Sequence, residues 1–157
     1  MKLTPEQEAK IRWLSDNHLY QKAQNFVNHC QRNFIEGKQQ AGILEFSHTW
    51  KELNAFIHHQ KSRDWETISK KKAHYKLFYA TLEEELQELL KLVTQEKFVT
   101  GEVPSIKAEQ KKYNDEINEV AGLLAHEFIQ HVVAEMRWQQ DVVQPSETQQ
   151  QEEQDYA

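Results

Sequence analysis

Apolar residues recur in this chain at spacings of three, four and seven, the period of one face of an α-helix. The longest such stripe is Ile106, Tyr113, Ile117, Val120, Leu124, Phe128 and Val132. It lies in a run from Ser105 to about Gln140 with no proline and a single glycine. At 1.5 Å per residue, roughly 35 residues make a rod of about 50 Å. Past Ala121 the arc widens as Gly122, Ala125, Ile129, Val133 and Met136 join it. A wide arc predicts several packing neighbours. The small pair Gly122 and Ala125 would let one of them approach closely.

A second long stripe, Ile68, Tyr75, Phe78, Leu82, Leu86, Leu89 and Val93, predicts a helix from about Trp65 to Lys97. Gly101 and Pro104 separate the two rods. The short connection makes them an antiparallel hairpin, with Lys97 facing Ile106, Tyr75 near Phe128 and Trp65 near Trp138. The Trp65/Trp138 end then forms the core, and the loop end, about 86–117, protrudes.

Ile43, Phe46, Trp50, Leu53 and Ile57 predict a third helix over about 41–60. Near the start, Thr4-Pro5-Glu6-Gln7 reads as a capped helix N-terminus. Ile11 and Leu14 mark one side, whereas Ala23, Phe26, Val27, Cys30 and Phe34 mark nearly the opposite side of one continuous helix. A break at Ser15-Asp16-Asn17 removes the conflict, because such residues compete with helix and cap the next one. The pattern thus predicts helices near 5–15 and 17–36, with Gly37 as the C-terminal glycine.

The expected fold is therefore all-α, a five-helix bundle with a long C-terminal antiparallel helical hairpin. Residues 1–143 form a single helical domain. The Gln/Glu-rich segment 144–157, after Pro145, has no apolar period and is expected to be disordered. Only four glycines and three prolines punctuate the 157 residues, and no run alternates as a strand does. The net charge of −6 argues against a general nucleic-acid binder. No apolar run approaches the roughly 20 residues of a membrane span, and no signal core appears, so the expected location is cytoplasmic with no membrane partner. The single Cys30 sits at a periodic apolar position and reads as a buried thiol.

Candidate chemistry is sparse. Between positions 61 and 76, six basic residues meet two acidic ones. Lys70, Lys71, Lys72 and Lys76 beside His74 and Tyr75 could hold a phosphate backbone and stack a base. The other readings are a solvated helix face, or a face neutralised inside the fold by Glu127, Glu135 and Asp141, which the hairpin register brings opposite. His126 and His131 flank Glu127-Phe128-Ile129-Gln130, one residue beyond the i, i+4 spacing of a zinc-protease helix. On a regular helix they diverge by about 140°, which excludes joint chelation. Glu45-Phe46-Ser47-His48 has the Glu-x-x-His spacing of di-iron bundles but lacks the second copy such sites need. Glu83, Glu84, Glu85, Glu88, Asp115, Glu116 and Glu119 gather toward the loop end and suit a basic partner.

No catalytic, cofactor or metal motif is present, and none places the chain in a family. The expected role is non-enzymatic: a structural subunit, an inhibitor of immunity type or a self-associating adaptor. The hairpin would supply the contact, and Leu86, Leu89, Leu90, Tyr113 and Ile117 would form a protein interface or a homodimer. The alternative is a nucleic-acid-binding small helical subunit of a ribonucleoprotein complex, using segment 61–76.

Overall fold

The structure, a computed structural model, describes residues 2–96, 98 and 104–143. Among these all regular structure is helical: α1 (Pro5–Leu14), a π-turn (Ser15–Leu19), α2 (Tyr20–His29), α3 (Gly37–Glu45), a 3-10 turn (Phe46–His48), α4 (Trp50–Ser62), α5 (Trp65–Ile68), a second 3-10 turn (Lys70–Lys72), α6 (Tyr75–Gln95), α7 (Lys107–Trp138) and a closing π-turn (Gln139–Val143). The segment 144–157, expected above to be disordered, lies outside the described residues, as do Lys97 and Gly101.

The first helix starts as its sequence dictates. Thr4 Oγ1 accepts from the Gln7 amide at 3.1 Å, and Gln7 Oε1 accepts from the Thr4 amide at 2.9 Å. The phase conflict between Ile11/Leu14 and Ala23/Phe26/Val27 is real, but no break resolves it. One wide turn does, with the Tyr20 amide donating to Ser15 O, five residues back. This turn rotates α1 relative to α2 and brings Ile11, Leu14 and Leu19 all into the core.

The helix predicted over 17–36 stops at His29, because Gln31 and Arg32 take left-handed backbone angles, φ 50° and 67°. Phe34 and Ile35 then turn back into the core. Gly37 does not end that helix; it opens α3. The helix predicted over 41–60 is two helices, because Thr49 is extended and its side chain caps α4 at the Glu52 amide, 3.1 Å away. The helix predicted over 65–97 also breaks, into α5, the Lys70–Lys72 turn and α6. Trp65 anchors that break. It is buried, donates Nε1–H to Gln60 O at 2.7 Å and packs edge-on against Tyr75.

α7 spans 32 residues, about 48 Å, and touches α2, α3, α4 and α6. Ile117, Val120, Leu124, Phe128 and Val132 are buried, and so are the residues that widen the arc, Gly122, Ala125, Ile129, Val133 and Met136. Contacts of the α1–α2 arm fix its direction. Against α7 the numbers rise together: Ser15 meets Glu127 and His131, and Asn28 meets Gln139. Against α6 they run opposite: Lys10 pairs with Glu96, Lys22 with Glu85, and Phe26 meets Phe78. The core is closed where Phe26 touches both Phe78 and Phe128.

α1 covers the far end of α6. Gln7 Nε2 donates to Phe98 O at 2.7 Å, and Lys10 Nζ lies 5.0 Å over the Phe98 ring. The loop end is therefore not bare on the α6 side. On α7, residues 107–116 include no buried position, and burial begins at Ile117.

Candidate protein-interaction surface

The residues expected to form an interface face this chain's own helices. Leu86, Leu89 and Ile117 are buried in the core, and Leu90 and Tyr113 are half-buried against it. Their spacing marked a helix face correctly, but α1, α2 and α4 already cover that face. Leu86, Leu89 and Ile117 are thus inaccessible to a second copy while the core stays closed, whereas Leu90 and Tyr113 keep part of their surface exposed.

The basic segment is likewise divided. Tyr75 is only 3% exposed, and its hydroxyl accepts from the Glu36 amide at 2.9 Å, so it cannot stack a base. Burial raises the pKa of this hydroxyl above its usual value. His74 Nε2 lies 2.8 Å from Phe34 O. Lys72 pairs with Glu36 at 2.8 Å, a hydrogen bond that raises the lysine's pKa, and Lys61 pairs with Glu83 at 2.9 Å. These partners replace the expected Glu127, Glu135 and Asp141, because the bend at Lys70–Lys72 carries the segment to α3 rather than along α7. Trp65, expected to lie near Trp138, is buried against Tyr75, whereas Trp138 is half exposed. Lys70, Lys71 and Lys76 stay exposed.

His126 and His131 each close a clasp onto an irregular turn. Ser15 Oγ, in the π-turn, donates to Glu127 Oε2 at 2.9 Å. Its one proton is thereby used, so His131 Nε2–H is the donor in the second 2.9 Å contact. Ser47 Oγ, in the first 3-10 turn, donates to Leu44 O at 2.7 Å and accepts from His126 Nδ1 at 2.7 Å. Both serines are buried. A nucleophilic serine needs an imidazole that takes its proton and an acid that orients the imidazole. Here the acid takes the serine proton and the imidazole donates, so the groups fasten helices together. His48, from the Glu45-x-x-His48 pair, packs its ring 5.1 Å from that of His126. Among the described residues no three His, Cys, Asp or Glu side chains converge as a metal site.

The solvent side of the α1–α2/α7 junction is different in character. Leu123, Glu127, Ala134 and Trp138 recur there at spacings of four, seven and four along one side of α7. Tyr20, Gln24, His131, Ala134, Glu135 and Trp138 line a groove of about 390 Å³. Its aromatic members are open to solvent, Trp138 at 53% and Tyr20 at 47% exposure. Tyr20 is held edge-on to His131 at 5.6 Å, and its hydroxyl accepts from Gln24 at 3.0 Å. Toward the start of α1 the furrow continues over Leu3, Glu8, Ile11, Arg12, Leu123, His126 and Glu127, in a second hollow of about 340 Å³. The Ser15 clasp lies between the two.

Comparison with known protein families, curated proteins and solved structures finds no match for this chain. The surface must therefore be read from its own chemistry. Sequence periodicity could not find the furrow, because Tyr20 and Trp138 belong to no apolar stripe. The sequence offered only a weak signal: Tyr20 and Trp138 lie outside the periodic set, but so does Trp13, which is 61% exposed on α1. Among the described residues no helix is long and apolar enough to cross a membrane.

Proposed function

We propose that this chain is a non-enzymatic helical interaction protein, and that its partner docks along the furrow between α1–α2 and α7. The observation that carries this reading is the exposure of Tyr20 and Trp138 in one groove. Tyrosine and tryptophan dominate binding energy where a pocket can desolvate them. From Leu123 to Trp138 the furrow runs about 22 Å, the length of some four turns of a docked helix. Glu8, Glu127 and Glu135 line it against Arg12 alone. An amphipathic helix with basic residues beside its apolar face is the complementary partner. The opposite directions in which α6 and α7 meet the α1–α2 arm support reading them as the antiparallel hairpin expected from sequence, here a scaffold for the furrow rather than the contact.

A photo-crosslinking residue at position 134, inside the groove, should capture a defined protein in native cells. The same residue at 55, on the exposed side of α4, should not. Replacing Tyr20 and Trp138 together by alanine should weaken that complex by about 2–4 kcal/mol. A captured species of twice the chain's mass would make the partner a second copy. Equal capture at 134 and 55, or an unchanged affinity in the double variant, would remove the furrow reading.

The nucleic-acid reading is supported by one observation, the exposure of Lys70, Lys71 and Lys76 at a single bend. It predicts binding whose logarithm falls linearly with that of the salt concentration, with a slope of about −2 to −3 for three phosphate contacts. A mobility shift absent at low salt, or a slope unchanged by reversing these three charges, would remove it.

A further inference from the structure

The two hollows of the furrow share no residue and differ in chemistry. The hollow toward the start of α1 is aliphatic, with Leu3, Ile11 and Leu123 as its apolar surface. Glu8 and Arg12 stand one turn apart at its side and offset each other in charge. Glu127, at its inner edge, already holds Ser15 Oγ.

The hollow at the end of α7 is aromatic and acidic. Tyr20 and Trp138 expose their rings there, Glu135 lines it with them, and no lysine or arginine is among its described walls. Gln139 Nε2 donates to Glu135 Oε1 at 3.0 Å and so steadies the carboxylate. Glu135 and Trp138, three residues apart, share a side of α7. Aromatic faces beside a carboxylate attract a cation. A guanidinium serves both at once: its plane stacks on a ring, and its N–H groups fork onto the carboxylate. The chain makes the stacking half of this contact internally, with the Arg63 guanidinium 4.3 Å over the Trp65 ring. A wholly apolar anchor would instead desolvate Glu135 with no counter-charge.

The clasp sets the distance between the hollows. Glu127 belongs to one and His131 to the other, and Ser15 ties the two together between them. A partner must straddle this ridge. Along α7 the middles of the hollows are about nine residues apart, roughly 14 Å. Along the α1–α2 arm, from Glu8 and Arg12 to Tyr20 and Gln24, they are about twelve residues apart, roughly 18 Å. A docked helix spans about 16.5 Å in eleven residues and returns to within about 20° of the same face.

We propose that the furrow reads a helix by two anchors eleven positions apart: an arginine on Tyr20, Trp138 and Glu135, and an aliphatic side chain on Ile11 and Leu123. The proposal rests on the furrow being the docking surface.

The probes are fluorescent, alanine-rich helical peptides of about 18 residues, long enough to hold a helix. They carry arginine and leucine at i and i+11, made in both directions. In the tighter direction, citrulline or norleucine for the arginine should weaken binding about tenfold, read by anisotropy. Moving the leucine to i+7 or i+14 should weaken it about tenfold as well, because one anchor is lost. Trp138→Leu should weaken the arginine peptide about tenfold and Glu135→Gln about fivefold, and both should leave the citrulline peptide within about twofold. Equal affinity for arginine and norleucine, or for all three spacings, would overturn the proposal. Binding that survives Tyr20→Ala with Trp138→Ala would overturn it too, and so would no binding by any peptide. The furrow reading is decided separately, by the crosslinker at position 134: capture there beside any of these failures would leave the furrow standing with other anchors.

Discussion

Deleting Asp16 should cost this protein about 3–6 kcal/mol of stability, whereas Asp16→Ala should change it by less than about 0.5 kcal/mol. Asp16 is exposed, so its side chain has little to lose. Its backbone, however, is part of the wide turn that joins α1 to α2. Without it the turn closes to ordinary α-helix, and α1 rotates by about 100° and shifts by about 1.5 Å relative to α2. Ile11 and Leu14, both buried, then leave the core. Each is worth about 1.5–3 kcal/mol of burial. The Ser15 hydroxyl also moves away from Glu127 and His131. Urea unfolding of the two variants checks this. A deletion that unfolds at the parent's midpoint would show that the packing of α1 does not depend on the phase set by the turn.

The second large effect is expected at Gly122. A Cβ placed there would lie 2.9 Å from the backbone nitrogen of Trp50 and 3.5 Å from its Cβ. The obstacle is main chain, fixed by the Thr49 cap of α4, and it cannot swing aside as a side chain can. Gly122→Leu should cost about 3 kcal/mol, and occasionally such overpacking costs more. With a shift of about 2–4 °C per kcal/mol for a chain of this size, its melting temperature should fall by about 6–12 °C. Gly122→Ala should also destabilise, even though alanine gains about 1 kcal/mol of helix propensity. Gly42→Ala is the contrast. The new Cβ there would meet the Phe56 ring at 3.2 Å, a side chain that can give way, so a smaller change is expected. If Gly122→Leu melts with the parent, α7 and α4 are not in the close contact described.

Periodicity carried the helical class and most of the core. The α7 stripe and its widening past Ala121 follow from spacing alone, because a face that must be dry repeats every three to four residues. What spacing could not carry was the location of the breaks. Thr49-Trp50-Lys51-Glu52 has the form of a capping box, yet the stripe Phe46, Trp50, Leu53 runs through it without a phase error, so the break is silent in the apolar pattern. The reverse holds at Ser15: the phase error was visible, but a wide turn and a chain break both relieve it. Which one forms depends on Glu127 and His131, more than a hundred residues away. The same limit applies to the surface. Leu86, Leu89 and Ile117 look alike whether covered by their own chain or by a partner. Only the placement of α1 and α2 decides between these, and with it the meeting of Tyr20 and Trp138 in one groove.

The position of α7 in the chain has a consequence for how this protein is made. The helix that α2, α3, α4 and α6 all pack upon is synthesised after every one of them. At roughly 5–20 residues per second, the ribosome releases the earlier helices seconds before their common mate is complete. Until Met136 has emerged, Phe26, Phe78 and Leu53 have no finished core to enter. Any nascent or prematurely terminated chain lacking α7 therefore presents those surfaces to chaperones and proteases rather than to a folding partner. Quality control of this protein falls on its last long helix.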